Sequence, residues 1–203
     1  MNIDSFLTRQ PGIIGSDRCK QYGILIPLLR LEGNLYMLFE KRSSTLRRQP
    51  GEICFPGGKL EPGETLLECA IRETVEELTI KKEQIRVIGA GDTYISPFNL
   101  MLHPYIGELT DYQDTFSPDE VEEIIKVPLK FLRDYTPEVF ESRLINEPAE
   151  DFPYEWIPGG IEYPWSEGIH EILFYRYHDW TIWGMTAQIV RSALKLLEEY
   201  KIC

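Results

Sequence analysis

The chain has 203 residues, 43% of them hydrophobic, which is enough to bury a core without disulfide bonds or a structural metal. Its net charge of −12 argues against a nucleic-acid partner, because contacts to a phosphate backbone require a basic surface. No apolar stretch reaches membrane-spanning length, and the four cysteines lack zinc or redox spacing. We therefore expect one soluble, cytoplasmic domain over residues 1–203, with no membrane partner and with reduced, mostly buried cysteines.

The first predicted element is a β-hairpin. Residues 22–31 and 36–41 are rich in aliphatic, β-branched and aromatic side chains, and the turn-forming residues 32–34 lie between them. The following segment, residues 41–58, carries four cationic side chains in an acidic chain. Arg42 and Arg47 are candidate phosphate ligands, since guanidinium forms paired hydrogen bonds with phosphate. The alternative is that they only balance neighbouring acids on the surface.

A Pro-Gly-Gly sequence, residues 56–58, ends this segment. Proline fixes the entry to the loop, and two glycines let the backbone approach a ligand that any Cβ would exclude. Gly57 and Gly58 are therefore candidate substrate-binding positions. A plain tight turn is the alternative, and the two interpretations are compatible.

The next segment predicts an amphipathic helix that begins near Thr65. Thr65 and Glu68 have the spacing of a capping box. At about 100° per residue, three acids fall within one arc of the helix and four apolar residues lie opposite. The acids are Glu73, Glu76 and Glu77, and the apolar residues are Leu67, Ile71, Val75 and Leu78. We expect the acids to face outward, where such an arc suits Mg²⁺; a solvated acidic face is the alternative.

The rest of the chain predicts a mixed sheet between helical layers, an α/β (α+β) class. Strands are predicted at residues 85–95, 102–109 and 121–127, a short helix from residue 128, and a final amphipathic helix from residue 183 or 185 to residue 200. Residues 134–168 lack periodicity and predict a long ordered excursion. The sequence leaves open whether this excursion lies near the substrate or at a homodimer contact.

The spacing of the acidic helix and its preceding loop resembles the signature box of the Nudix hydrolases. It reads Gly58, five residues, Glu64, seven residues, Arg72-Glu73, two residues, Glu76-Glu77. Members of that family use bound Mg²⁺ or Mn²⁺ to cleave a nucleoside diphosphate linked to another moiety. The resemblance implies a Nudix fold with a core at about residues 20–195.

The same resemblance implies residue roles. Glu73 and Glu77 would be the main metal ligands, and Glu76 a further ligand or a water-orienting group. The carbonyl group of Gly57 would contact a metal, and Arg72 would hold Glu64 in an ion pair. A carboxylate outside the box often acts as base or extra ligand, and Glu120 is the candidate; a solvated acidic run is its alternative.

Two threonines depart from the family pattern. Thr74 replaces an aliphatic residue on the flank of the helix. Thr79 replaces the glycine at which the helix ends in the left-handed region, where a β-branched residue carries strain of about 1 kcal/mol or more. The geometry at the end of the helix is therefore the point at which we expect a difference.

Residues 41–58 also resemble the extra motif of the coenzyme A pyrophosphatase branch of this family. The matching features are the Arg-Ser pair at residue 42, Leu-Arg four and five residues later, and a glycine before Phe-Pro-Gly-Gly. Residues 182–187 are similar to that branch as well. The resemblance implies a small-molecule diphosphate substrate, coenzyme A or an acyl-coenzyme A, cleaved to 3′,5′-ADP and 4′-phosphopantetheine or its acyl form. The alternatives are ADP-ribose, NADH or an oxidised nucleotide as substrate, and a non-catalytic Nudix-fold nucleotide sensor.

Overall fold

The computed structural model describes residues 7–202, which form two β-sheets and three α-helices with a few short 3₁₀ turns. The strands are β1 Lys20–Leu31, β2 Asn34–Arg42, β3 Ile53–Cys54, β4 Gly57–Lys59, β5 Ile85–Ala90, β6 Tyr94–Ser96, β7 Leu100–Leu109, β8 Val121–Pro128, β9 Glu138–Leu144, β10 Gly168–Tyr177 and β11 Trp180–Trp183. The helices are α1 Leu66–Glu77, α2 Leu129–Asp134 and α3 Gly184–Glu199.

The larger sheet is mixed and has β1 at its centre. β1 pairs in parallel with β7 along one edge, whereas along the other edge it pairs antiparallel with β4 and then with β2. β2 diverges from β1 and pairs with β3 and β8. The predicted hairpin is confirmed, with residues 32 and 33 both at positive φ in a two-residue turn. β4, which carries the two glycines, thus lies beside the N-terminal half of β1.

The larger sheet lies between two layers, as the sequence predicts. On one face, Leu25, Leu29 and Leu38 pack with Leu78 at the end of α1. On the other face, a larger core joins alternate residues of β1 and β2 to α3 and to the smaller sheet, which has the order β11-β10-β9. Side chains on a strand alternate between faces, so each central strand contributes to both cores.

Two predictions about the strands need correction. The single strand expected at residues 85–95 is two strands, because the chain leaves the ladder at residues 91–93 between β5 and β6. The excursion at residues 134–168 contains β9, a regular edge strand that pairs with β10. Most of β9 is exposed, with none of its residues buried, so it lacks the alternation that marks a strand in a sequence.

The structure also bears on the expectations about membrane-spanning segments and cysteines. Among residues 7–202, no helix is long and apolar enough to span a membrane. Of the four cysteines, Cys69 is buried, Cys19 and Cys54 are partly buried, and Cys203 lies outside the described residues.

Candidate active site

Local hydrogen bonds cap both ends of helix α1. Thr65 Oγ1 accepts a hydrogen bond from Glu68 N at 3.2 Å, and Glu68 Oε2 accepts one from Thr65 N at 2.8 Å, which confirms the capping box. At the other end, Thr79 has a φ of 49° and lies in the left-handed region. Ile80 N donates to Val75 O, which closes a Schellman motif. The helix therefore ends in the left-handed conformation of the family pattern, although threonine replaces the glycine at residue 79.

The buried side of α1 differs from our prediction. Leu67, Ile71 and Val75 are only partly buried, whereas Cys69, Ala70, Thr74, Glu77 and Leu78 are buried. The reason is a close approach between α1 and β1: a Cβ built on Gly23 would lie 2.3 Å from Leu66 O. Small side chains occupy this contact, and the buried Thr74 hydroxyl donates to Ala70 O at 2.6 Å. Hydrophobic periodicity is misleading here because small residues, and not large apolar ones, mark the contact.

Glu77 is buried at the end of α1, contrary to the expectation that its carboxylate faces solvent. The residue is 4% exposed, and its Oε2 accepts a hydrogen bond from Gly57 N at 2.9 Å. Burial, and then the charge of Glu40, raise the pKa of Glu77 from 4.5 to about 10, against the opposing effect of the Gly57 N–H group. A carboxylate in this environment is costly to ionise unless a cation lies beside it.

Gly57 and Gly58 provide the space that this arrangement needs. A Cβ on Gly57, whose φ is 154°, would lie 2.5 Å from Gly23 O. A Cβ on Gly58 would overlap the carboxylate of Glu73, at 2.1–2.5 Å from its atoms. The loop backbone and the two helix carboxylates therefore lie against each other, as the Pro-Gly-Gly sequence indicates.

Arg72 connects the loop to the helix. Its Nε and Nη2 donate to the two carboxylate oxygens of Glu64, at 3.0 and 2.8 Å. This paired contact lowers the pKa of Glu64 to about 2, with a further contribution from the Glu61 N–H group. Arg72 Nη1 also donates to Glu73 Oε1 at 2.8 Å. Glu73 is half-buried, and desolvation nevertheless raises its pKa.

A further carboxylate, which sequence reasoning missed, lies near Glu77. Glu40 on β2 is 1% exposed, and Cys54 Sγ on β3 donates to its Oε1 at 3.4 Å. Burial raises the pKa of Glu40 to about 7, partly offset by the Cys54 hydrogen bond. The signal in the sequence is its position directly after an apolar run of β2, and in the structure that run and Glu40 are buried together.

A cavity of about 750 Å³ lies against part of this site, and Glu40 is not among the residues that line it. Glu73, Glu77, Gly57 and Gly58 form part of its wall, together with Glu120. Four cationic residues also line it: Lys20, Arg42, Arg48 and Lys59. Apolar side chains from β3–β4, β7 and α3 complete the wall: Phe55, Leu100, Leu102, Met185 and Ile189. The structure thus brings most of the predicted site residues together in a cavity of ligand size.

Two predicted catalytic or substrate-binding residues are not part of the cavity wall, and neither are Arg72 and Glu64 of the predicted ion pair. Arg47 is exposed, and its neighbour Arg48 lines the cavity instead. Glu76 is also exposed, with 59% of its side-chain surface accessible and with Arg72 Nη1 at 3.8 Å. The three helix acids are therefore in three environments: Glu77 is buried, Glu73 is bonded to Arg72, and Glu76 faces solvent.

The donor set fits a hard divalent cation that leaves coordination positions to water and substrate. Among residues 7–202, no three His, Cys, Asp or Glu side chains are grouped so as to hold a metal by themselves. Magnesium, however, is usually bound through one or two carboxylates together with water and substrate phosphate. Glu77 and Glu73, beside a backbone that no Cβ obstructs, meet that requirement. The Oε2 atom of Glu40, which is buried without a hydrogen-bond partner, adds to the uncompensated negative charge.

Comparison with known proteins gives consistent matches. Residues 20–146 match the NUDIX domain. The peroxisomal coenzyme A diphosphatase NUDT7 of Mus musculus is 35% identical over 134 residues, which cover 65% of this chain and 56% of that protein. Nudix hydrolase 3 of Caenorhabditis elegans is 28% identical over 94% of this chain and 79% of that protein. A crystal structure of a MutT/nudix family protein from Enterococcus faecalis has a similar fold, with a TM-score of 0.53 and 15% identity over 98% of this chain and 70% of that one.

Proposed function

The chain belongs to the Nudix family, and we propose that it is a diphosphate hydrolase whose substrate is coenzyme A or an acyl-coenzyme A. The observation that carries the proposal is the composition of the cavity wall, which has carboxylates on α1 and cationic side chains from β1, β2, β4 and the loop before β3. Coenzyme A has a diphosphate, a third phosphate and a long uncharged arm. A cavity with both cationic and apolar walls suits such a molecule.

The proposed reaction is hydrolysis of the diphosphate. Water adds across one P–O bond of the diphosphate, each product keeps one of its two phosphates, and a proton is released. The adenosine product also retains the 3′-phosphate, which gives 3′,5′-ADP and 4′-phosphopantetheine or its acyl form. A divalent ion, Mg²⁺ or Mn²⁺, would neutralise the charge on the diphosphate and assist the attack of water. Family members generally use divalent ions, and the choice between these two belongs to the proposal.

The proposal assigns a task to each group of residues. Glu73, Glu77 and the carbonyl group of Gly57 hold the ion. Glu120, on the cavity wall, accepts the proton of the attacking water, and the solvent-facing Glu76 orients that water or completes the coordination. The cationic groups orient the phosphates. Arg42 and Arg48 line the cavity, and we therefore propose Arg48 for the phosphate contact that the sequence predicts for Arg47.

The scaffold keeps these groups in place. Arg72 donates hydrogen bonds to both Glu73 and Glu64, so it connects the loop before α1 to the helix. Gly57 N–H fixes one oxygen of Glu77, which leaves its second oxygen for the ion. Positioning and charge neutralisation supply most of the catalysis in phosphoryl transfer.

A substrate panel tests the proposal. Purified protein is incubated with coenzyme A, acetyl-coenzyme A, ADP-ribose, NADH and an oxidised nucleoside triphosphate, with Mg²⁺ or Mn²⁺ and then with chelator, and the products are identified by mass. We expect the coenzyme A compounds to give the highest kcat/KM and the chelator to abolish hydrolysis. Faster cleavage of ADP-ribose or NADH would refute the substrate assignment, and nucleotide binding without any hydrolysis would indicate a sensor.

Two predictions concern the whole protein. The mouse relative is named as a peroxisomal protein, whereas for this chain we keep the prediction of a cytoplasmic location, which imaging of the tagged protein tests. A homodimer also stays a prediction, which light scattering tests.

A further inference from the structure

Glu40 occupies a position between the core and the proposed active site. Side chains on a strand alternate, so Leu38 and Glu40 of β2 share one face of the sheet, and a register shift separates Lys41 from Arg42. Leu38 packs in the cluster that includes Leu78, directly after α1, and Arg42 lines the cavity. Glu40 is therefore placed between the packing contact of α1 and the cavity that contains Glu77.

The carboxylate of Glu40 is buried with only one of its oxygens satisfied. The residue is 1% exposed, and Oε1 accepts a hydrogen bond from the thiol of Cys54, which itself lines the cavity. Oε2 is buried without a hydrogen-bond partner. A buried carboxylate oxygen that lacks a donor or a cation destabilises a fold, so an unpaired one in a native site indicates a missing ligand.

The neighbouring cationic side chain of Arg42 does not supply that ligand. Arg42 is close enough to lower the pKa of Glu40, yet its Nε atom is itself buried without a hydrogen-bond partner. The other charged groups near Glu40 are carboxylates, namely Glu73, Glu77 and Glu120. Negative charge therefore accumulates around Glu40, and a divalent cation is the species that would compensate it.

We propose that Glu40 is an additional ligand of the divalent cation in this cavity, contributed by β2 from outside the helix and loop that form the signature box. The inference rests on the metal-dependent function proposed above. Cys54 holds Oε1, and Oε2 is the oxygen left for the cation. Because the carboxylates of Glu40, Glu73 and Glu77 are not already grouped around one point in the described residues, the cation would draw Glu40 toward the other two. Metal binding would then join α1 to β2 and stabilise the fold as well as support the reaction.

Manganese binding measured without substrate tests the inference. Free Mn²⁺ is measured by electron paramagnetic resonance during titration of the parent protein, of Glu40→Gln and of Glu198→Gln. Glu198→Gln is the control, because it removes the same charge from an exposed position at the end of α3. We expect Glu40→Gln to weaken Mn²⁺ binding at least about tenfold, the scale of losing a metal-supporting side chain. Glu198→Gln should bind as the parent does. In thermal unfolding, Mn²⁺ should raise the Tm of Glu40→Gln less than it raises the Tm of the parent or of Glu198→Gln.

The outcomes separate this inference from the proposed function. Parental Mn²⁺ affinity in a folded Glu40→Gln protein would overturn the role of Glu40 and leave the metal-dependent reaction intact. A parent protein that binds no Mn²⁺ would overturn both. If Glu40→Gln does not fold, Glu40→Thr removes the carboxylate with a residue that favours strands, and the same tenfold loss is expected.

Discussion

The contact between Gly23 and helix α1 sets the position of the two carboxylates that we assign to the metal. An added Cβ at Gly23 would lie 2.3 Å from Leu66 O and 2.8 Å from Ala70 N. Both are backbone atoms of a helix, so no side-chain rotation relieves the overlap. Ordinary contact begins at 3.4 Å, and Gly23→Ala therefore requires α1 and β1 to separate by about 1.1 Å.

This displacement predicts two measurable effects. A misplacement of about 1 Å in a catalytic group costs about 100-fold in rate, because reacting groups must be held in near-attack geometry. Overpacking of a buried contact costs about 1–3 kcal/mol in the free energy of unfolding. We expect Gly23→Ala to lower kcat/KM for coenzyme A about 100-fold, measured by product formation. We also expect it to lower the free energy of unfolding by about 1–3 kcal/mol, measured by urea unfolding.

A matched alanine substitution provides the control. Gly89 lies on β5 with a φ that L-residues adopt, and a Cβ there would have no atom within 4 Å. Gly89→Ala should therefore retain parental activity and nearly parental stability. A Gly23→Ala protein that is destabilised but fully active would refute the positioning argument, and one that is unchanged in both properties would refute the close approach itself.

Three other substitutions test separate parts of the site. Glu77→Gln should lower kcat about 100-fold or more. Burial holds the folded pKa of Glu77 above its unfolded value of 4.5, so the metal-free parent should lose stability as the pH rises from 4.5 toward about 10. Glu77→Gln should lose less stability over the same pH range. Thr79→Gly should raise the free energy of unfolding by about 1 kcal/mol by relieving left-handed strain, whereas Thr181→Gly, on the extended strand β11, should lower it by about 0.5–1 kcal/mol in urea unfolding. Arg48→Ala should raise KM for coenzyme A about tenfold or more through loss of a charged hydrogen bond, and Arg47→Ala should leave KM near the parental value in the same assay.

Local signals in the sequence predicted much of the fold because each has a local physical cause. The capping box depends only on Thr65 and Glu68, three positions apart, and the structure contains it. The hairpin turn at residues 32–34 similarly depends on local backbone preferences. The aliphatic, β-branched and aromatic residues of β1 and β2 predicted both strands, and consecutive residues of each are buried because both faces of the sheet are covered.

Tertiary contacts account for what the sequence did not reveal. Glu77 was expected to face solvent, because its burial depends on how closely α1 approaches β1 at Gly23, 54 positions earlier in the chain. Glu40 was missed since the apolar run before it indicates burial but not a site, and its surroundings depend on Cys54 of β3 and on the carboxylates of α1. The choice between Arg47 and Arg48 depends on the conformation of a loop that carries no periodicity.

The most direct test of the account is the position of a bound ion. A crystal of the protein grown with saturating Mn²⁺ should give an anomalous scattering peak within coordination distance of the Glu77 carboxylate and the Gly57 carbonyl oxygen. A fully ordered site in which those oxygens carry no ion, or in which Mn²⁺ binds only elsewhere on the surface, would contradict the account.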